Sequence, residues 1–369
     1  MFARSTRILL WIFSVAAIAG FIALSVHRMA GQQLPEPAEQ VLLDHAERLA
    51  EGQALYQAPE SRFAIPVMPG MPWLLSLLVA MFGPGLWEAR LLSLLGSLAV
   101  AGLTLVIVRA ETRSGLLGIV SAGLMLAGFA AFELRHGVAS PEPIALALGF
   151  GALCVLRFTS GTLGPIVAAL LASASFFVHP LGAGFFVAAL AYLTLHHSRH
   201  ALIFAASAAV AWGGGYLVLS EALGSWFNFY AWDAPLSLLR FQPRHLLHAV
   251  GDELLGRLGV LTFSAVLAFA LPTRPWRGPV GLWMWGAFAA VGFSLLATQN
   301  LRVSARDLLP ALVALAIVGP ISAQRVIQHL AAWPGSSRLG GQTVVMAALV
   351  LQFVMLIAGA TAVVLPPAA

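Results

Sequence analysis

Apolar residues dominate this chain in about eleven long runs, near 8–26, 89–108, 115–132, 143–157, 163–178, 181–195, 201–219, 259–271, 280–297, 308–324 and 343–365. Runs of this length and density predict helices that cross a bilayer. A further apolar stretch at 66–83 is broken by Pro69, Gly70 and Pro72. Proline removes a backbone donor and glycine loosens a helix, so this stretch predicts an interfacial or re-entrant helix rather than a crossing. One segment has a different rhythm. Over Pro35 to Glu51, laid out at the helical angle, Gln40, Asp44, Glu47, Arg48 and Glu51 share a polar arc, and Leu42, Leu43, Ala46, Leu49 and Ala50 share the opposite one. Glu39 lies in the middle of the apolar arc. An acid aimed inward is a functional-site candidate, although Glu36-Pro37-Ala38-Glu39 also fits a helix start in which Glu39 bends back as a cap.

Composition agrees with the pattern. With 60% hydrophobic and 9% charged residues, the chain falls outside the range of soluble domains, where about a quarter of residues are charged. It reads as an all-α polytopic membrane protein, a single domain over 1–369 with no nucleic-acid partner. Arg7 followed by the apolar run 8–26 predicts an uncleaved first helix rather than a signal peptide. The single cysteine, Cys154, lies in an apolar run and excludes an internal disulfide framework. All basic charge is arginine.

Charge then orients the spans. With the N-terminus in the cytoplasm and 66–83 kept out of the count, the cytoplasmic segments hold ten arginines against Glu111 alone. The opposite face holds ten arginines and fourteen acids. This is the bias that the positive-inside rule prefers, and it would reverse if 66–83 crossed. Two large loops, 27–88 and 220–258, then project on the exoplasmic side, while the cytoplasmic connections are short.

The first loop runs DHAERLAEGQALYQ, then FAIPVMPGMPWLLSLLVAMFG, then WEARLLSLLGSL. This order resembles the start of the integral-membrane glycosyltransferases of the GT-C superfamily, such as the protein mannosyltransferases and aminoarabinose transferases that use polyprenyl-phosphate sugars. The matching residues are Glu39, Ala46, Gly52, Tyr56, Pro69 with Pro72, Phe82 with Gly83, and Arg90-Leu91 with Ser93. The family's acidic pair falls on Ala38-Glu39, so only its second member is kept. Later matches are Arg135 and Glu142 around a turn between the third and fourth spans, His179 where a lysine is usual, and Arg306-Asp307-Leu308-Leu309-Pro310 for an R-Y-x-x-P element.

The resemblance implies a GT-C-like fold and an inverting transfer from a polyprenyl-phosphate sugar to a lipid, glycan or protein acceptor. It implies work on the periplasmic face of a bacterial inner membrane. Glu39 is then the candidate general base, whose desolvated carboxylate would be raised toward a useful range. Arg306, His179 and Arg135 are candidates for the lipid phosphate, and Glu142 and Asp44 for orienting the acceptor or a metal. No tight ligand set marks a cofactor, which leaves a weakly held divalent cation open. The sequence does not specify the oligomeric state. Structural readings stand beside each candidate: a snorkelling Arg306–Asp307 pair, an anchored turn at Arg135, a span end at His179, a helix start at Glu142, and a solvent pair of Asp44 with Arg48. His196, His197 and His200 fit a basic interfacial loop better than a metal site. Trp226, Phe227, Phe229, Tyr230 and Trp232 fit either an interfacial belt or a groove for sugar or lipid. A transporter or flippase of lipid-linked sugars is the reading from another class, and a silent GT-C-like scaffold is the third; charges kept at span ends argue against transport.

Overall fold

A computed structural model describes residues 2–30, 36–58, 68–133, 139–270, 278, 280–299, 305–331 and 338–364. Among the described residues the fold is all-helical. In chain order the helices are α1 (Phe2–Ala30), α2 (Pro37–Ala50), α3 (Gly70–Phe82), α4 (Leu86–Thr112), α5 (Gly115–Glu133), α6 (Glu142–Phe158), α7 (Leu163–Val178), α8 (Ala183–His196), α9 (Ser198–Ala208) and α10 (Gly215–Leu223). There follow three short helices, α11 (Trp226–Asn228), α12 (Ala234–Leu238) and α13 (Pro243–His248), and then α14 (Gly259–Ala270), α15 (Gly281–Ala297), α16 (Leu309–Ala331) and α17 (Arg338–Val364). A π-helical stretch, Ala209–Gly214, joins α9 and α10 into one rod.

Each predicted apolar run coincides with a helix. Six helical stretches, Arg4–Ala30, Leu86–Thr112, Gly115–Phe132, Ser198–Leu223, Arg306–His329 and Gly340–Ala358, are long and apolar enough to cross a membrane. The others that match predicted crossings are shorter. Helix suits this setting because it satisfies its own backbone donors and acceptors where water is absent. The core is built around α16, whose residues Leu309 to Val318 are all buried. Close backbone approach lets the bundle pack without large side chains: a Cβ on Gly123 of α5 would lie 2.8 Å from the Cα of Ser14 on α1.

The stretch 66–83 is not a crossing helix of ordinary length. Its α3 has 13 residues, about 20 Å at the helical rise, short of a hydrocarbon core of about 30 Å. It buries Met71, Leu75 and Val79 and exposes Trp73, Leu77, Met81 and Phe82. That two-faced pattern is what an interfacial helix needs. At its head, a Cβ on Gly70 would lie 2.7 Å from the carbonyl oxygen of Phe177 on α7, which fixes how closely α3 docks.

The second loop folds into α11, α12, α13 and the π-helical stretches Phe229–Asp233 and Ala249–Arg257. Its aromatics divide. Phe227 and Tyr230 are buried, and Tyr230 stacks on Tyr56 at 5.3 Å and donates to the Gln57 carbonyl at 3.0 Å, whereas Trp226 and Trp232 remain exposed. At the far end of the bundle Glu111 of α4 accepts from Arg157 of α6 at 2.6 Å and from the Trp283 indole of α15 at 3.0 Å, locking three helices together.

Candidate functional site

At the end of the bundle that carries α2, α3 and the second loop lies a cavity of about 560 Å³. Its walls come from α2 (Ala38, Val41, Leu42), the α7–α8 junction (Val178, His179, Leu181), the second loop (Tyr230, Trp232, Leu236) and α15 (Phe293, Leu296). Gln299, just after α15, fixes the second loop: its carbonyl accepts from Arg240 N–H at 2.9 Å and its side-chain oxygen from Gln242 N–H at 2.8 Å. The lining is apolar and aromatic apart from one corner, where Glu142, His179, Arg306 and Asp307 meet. A mostly apolar hollow with a few convergent polar groups is the usual form of a small-ligand site.

Glu39 stands behind that wall. It is 1% exposed, and its carboxylate is held by the Arg90 guanidinium, Nε to Oε1 at 3.2 Å and Nη2 to Oε2 at 2.8 Å. Ala139 N–H donates to Oε1 at 2.9 Å and Glu36 N–H to Oε2 at 3.4 Å. The inward direction read from the helical arc is therefore present, and so is the capping contact, but the carboxylate faces α4 and not the cavity. Its neighbour Ala38, where the first acid of the pair would stand, lines the cavity instead. One helical step of about 100° makes this difference.

The R-L-x-S element explains how the charged corner is held. Arg90 opens the second turn of α4, where it reaches Glu39 on α2 and donates through Nη1 to the Arg28 carbonyl at the end of α1 at 2.8 Å. Ser93, one turn further on, donates to the Ser140 carbonyl at 2.8 Å and accepts from Ser140 N–H at 2.8 Å. Glu39, Arg90 and Ser93 thus grip Ala139 and Ser140 immediately before Glu142. The Ser140 side chain in turn hydrogen-bonds Glu142. Nothing in the local sequence reveals this, because the partners lie 51 and 47 residues apart. The available signal was an arginine and a serine one turn apart at the start of a mostly apolar helix.

Glu142 heads α6. Its Oε1 lies 3.9 Å from Nε2 of His179, Arg306 is a further charge neighbour, and its Oε2 has no hydrogen-bond partner among the described residues. His179 leaves α7 in extended conformation and its Nδ1 accepts from Leu181 N–H at 3.3 Å. Burial pushes its imidazole below the ordinary range, against the opposing pull of the Glu142 charge. Arg306, in the 3₁₀ turn Ala305–Leu308, is buried, with Nη2 3.9 Å from Oε2 of Glu36.

Of the residues singled out from sequence, Glu142, His179 and Arg306 therefore converge on the cavity. Asp44 does not: it accepts from the Gln40 amide at 2.9 Å on the polar side of α2, and Arg48, its expected i+4 partner, is buried and donates to the Ala54 carbonyl. Arg135 lies outside the described residues. Among the described residues no group of three or more His, Cys, Asp or Glu is placed to hold a metal ion, His196, His197 and His200 included. Tyr230 and Trp232, read from sequence as part of a belt or groove, carry the aromatic wall together with Trp212, which the sequence placed in the span 201–219.

Comparison with known proteins bears on the fold. No family model and no curated protein sequence matches the chain. Among solved structures it is similar to ArnT from Cupriavidus metallidurans bound to undecaprenyl phosphate, at 12% identity, TM-score 0.61, covering 93% of this chain and 76% of that one. The apo state of the same protein gives TM-score 0.58 at the same identity and coverage. The chain therefore has an ArnT-like fold.

Proposed function

We propose that this protein is an inverting glycosyltransferase of a bacterial inner membrane, which takes a sugar from a polyprenyl-phosphate donor and passes it to a lipid, glycan or protein acceptor on the periplasmic face. The observation that carries this reading is the cavity corner, where a carboxylate, an imidazole and a buried guanidinium lie beside an apolar lining suited to an isoprenoid chain. The ArnT-like fold, shared with a protein crystallised with undecaprenyl phosphate, supports it.

The chemistry assigns roles. Attack of an acceptor hydroxyl on the sugar C1 breaks the bond to the phosphate oxygen and inverts the centre. The hydroxyl proton needs a carboxylate base, and the polyprenyl phosphate leaves with an added negative charge. Glu142 is the carboxylate best disposed for the proton, because it lines the cavity and Glu39 does not. Glu39, bound on both oxygens, is better read as a positioning residue that holds the strap at 139–140. Arg306 is the permanent cation for the phosphate.

Ala38 on the cavity wall favours a second reading, in which the chain binds the donor but does not transfer the sugar. One experiment separates the two. Undecaprenyl phosphate binding to the purified protein in nanodiscs is expected for both, and Arg306→Ala should weaken it about tenfold or more. Transfer by wild-type membranes from polyprenyl-phosphate sugars, falling at least about a hundredfold in Glu142→Gln with binding kept, supports the enzyme. Binding without any transfer supports the second reading. Absence of binding overturns both.

A further inference from the structure

We infer that His179 acts as a neutral hydrogen-bond donor that positions the Glu142 carboxylate, and not as a cation for the lipid phosphate. The inference rests on the catalytic reading of Glu142 but concerns a different contact. It starts from the backbone. His179 is followed by Pro180 and a 3₁₀ turn, Pro180–Gly182, whose Leu181 N–H points back at Nδ1 of the imidazole at 3.3 Å. A ring nitrogen that receives an N–H must carry a lone pair, so the ring proton resides on Nε2. That nitrogen is the one facing Oε1 of Glu142, 3.9 Å away. Adding a second proton would set N–H against N–H at Nδ1 and break the Leu181 bond, in a site where burial already disfavours the charge.

The contacts then form a line. Leu181 N–H fixes the tautomer, the protonated Nε2 lies 3.9 Å from Glu142 Oε1, just beyond hydrogen-bond reach, and Oε2 is buried without a hydrogen-bond partner among the described residues. The Ser140 side chain already hydrogen-bonds this carboxylate, and a donor on His179 that closes the remaining gap would complete the grip that aims a proton-abstracting base. The other titratable groups facing this corner are Arg306 and Asp307 from the turn before α16 and Tyr230 across the cavity. Arg306 already supplies a fixed positive charge, so the corner retains a cation for the phosphate while His179 stays neutral.

The test uses the full-length protein in nanodiscs and three variants, His179→Gln, His179→Ala and His179→Lys, each checked for a monodisperse folded species. Gln places an amide N–H close to where Nε2–H lies; Ala removes the donor; Lys adds a permanent charge. Infrared pH-difference spectra, with the Glu142 carboxyl band identified by its loss in Glu142→Gln, should show that band titrating at higher pH in His179→Ala and returning toward wild type in His179→Gln. Undecaprenyl phosphate affinity should change less than about twofold across wild type, Gln and Ala, because the donor acts on Glu142 and not on the phosphate. The inference is overturned if the Ala variant leaves the Glu142 titration unmoved. It is also overturned if affinity falls about tenfold in both Gln and Ala and is restored by Lys, the pattern of a charge bound to phosphate. Failure of wild type to bind undecaprenyl phosphate would sink the functional proposal instead, and the infrared arm would still decide the His179–Glu142 contact.

Discussion

At the residue scale, burial separates the two glutamates that matter. Glu39 shares its charge with Arg90, and the two side chains are 1% and 5% exposed. Removing one partner of a buried pair leaves an uncompensated charge, so Arg90→Leu should destabilise the fold by about 3–5 kcal/mol, whereas the double variant Arg90→Leu/Glu39→Leu should recover much of the loss. Denaturant titration in detergent would read both, and a double variant no more stable than the single one would count against a mutual pairing. Glu39→Gln alone should cost stability while sparing whatever transfer the folded fraction performs. His179 makes a pH prediction with a definite sign. Its folded form holds the second proton less tightly than the unfolded chain does, so the unfolded state binds more protons as pH falls below the ordinary imidazole range of about 6.5, and stability is lost there. Thermal unfolding of wild type should therefore decline more steeply from pH 7.5 to 5.5 than that of His179→Gln; parallel slopes would show that the ring is not neutral in the fold.

At the scale of elements, what was legible in the sequence is what short-range pattern records. The apolar runs predict their helices because a crossing helix depends on its own twenty or so residues. The arc of α2 turns Glu39 inward for the same reason: periodicity is local. The partner of that acid was not legible, since Arg90 meets Glu39 across 51 residues and through the packing of α2 on α4. Nor was the one-step difference by which Ala38 and not Glu39 lines the cavity, because an amphipathic arc gives a direction without saying which of two inward surfaces a residue meets. The order of the R-L-x-S, His179 and Arg306 elements carried more information than any one of them, and its physical meaning is now visible as a clamp on residues 139–142. The docking of α3 gives a test at this scale. Gly70→Val would place side-chain atoms against the Phe177 carbonyl, a backbone group that cannot swing away. The variant should lower the melting temperature and loosen α3, whereas Gly20→Ala, at a position with open space around its Cα, should leave both unchanged; protease sensitivity between α2 and α3 would report the difference.

At the scale of the whole molecule, the two ends of the bundle carry different chemistry. Arg90 and Glu111 both belong to α4 and are separated by about 32 Å of helix, near a full hydrocarbon thickness. The Arg90 end gathers Glu39, Glu142, His179 and Arg306 around the cavity, and the Glu111 end gathers Arg157, Trp283 and Gln324, which donates to the Thr112 carbonyl at 2.9 Å. If positive charge marks the cytoplasmic side, the Glu111 end lies inside and the cavity opens outside. This orientation follows from the arginine distribution together with the exclusion of α3 from the crossings, and it can be tested without knowing any substrate. In a Cys154→Ala background, single cysteines are placed at Gln53, exposed after α2, and at Arg113, exposed after α4. A membrane-impermeant maleimide applied to intact spheroplasts should label Gln53→Cys and spare Arg113→Cys, and permeabilisation should then expose the second. The reverse order would put the cavity on the cytoplasmic side, where a polyprenyl-phosphate sugar presented on the outer leaflet could not reach it, and the proposed transfer would fail on geometry alone.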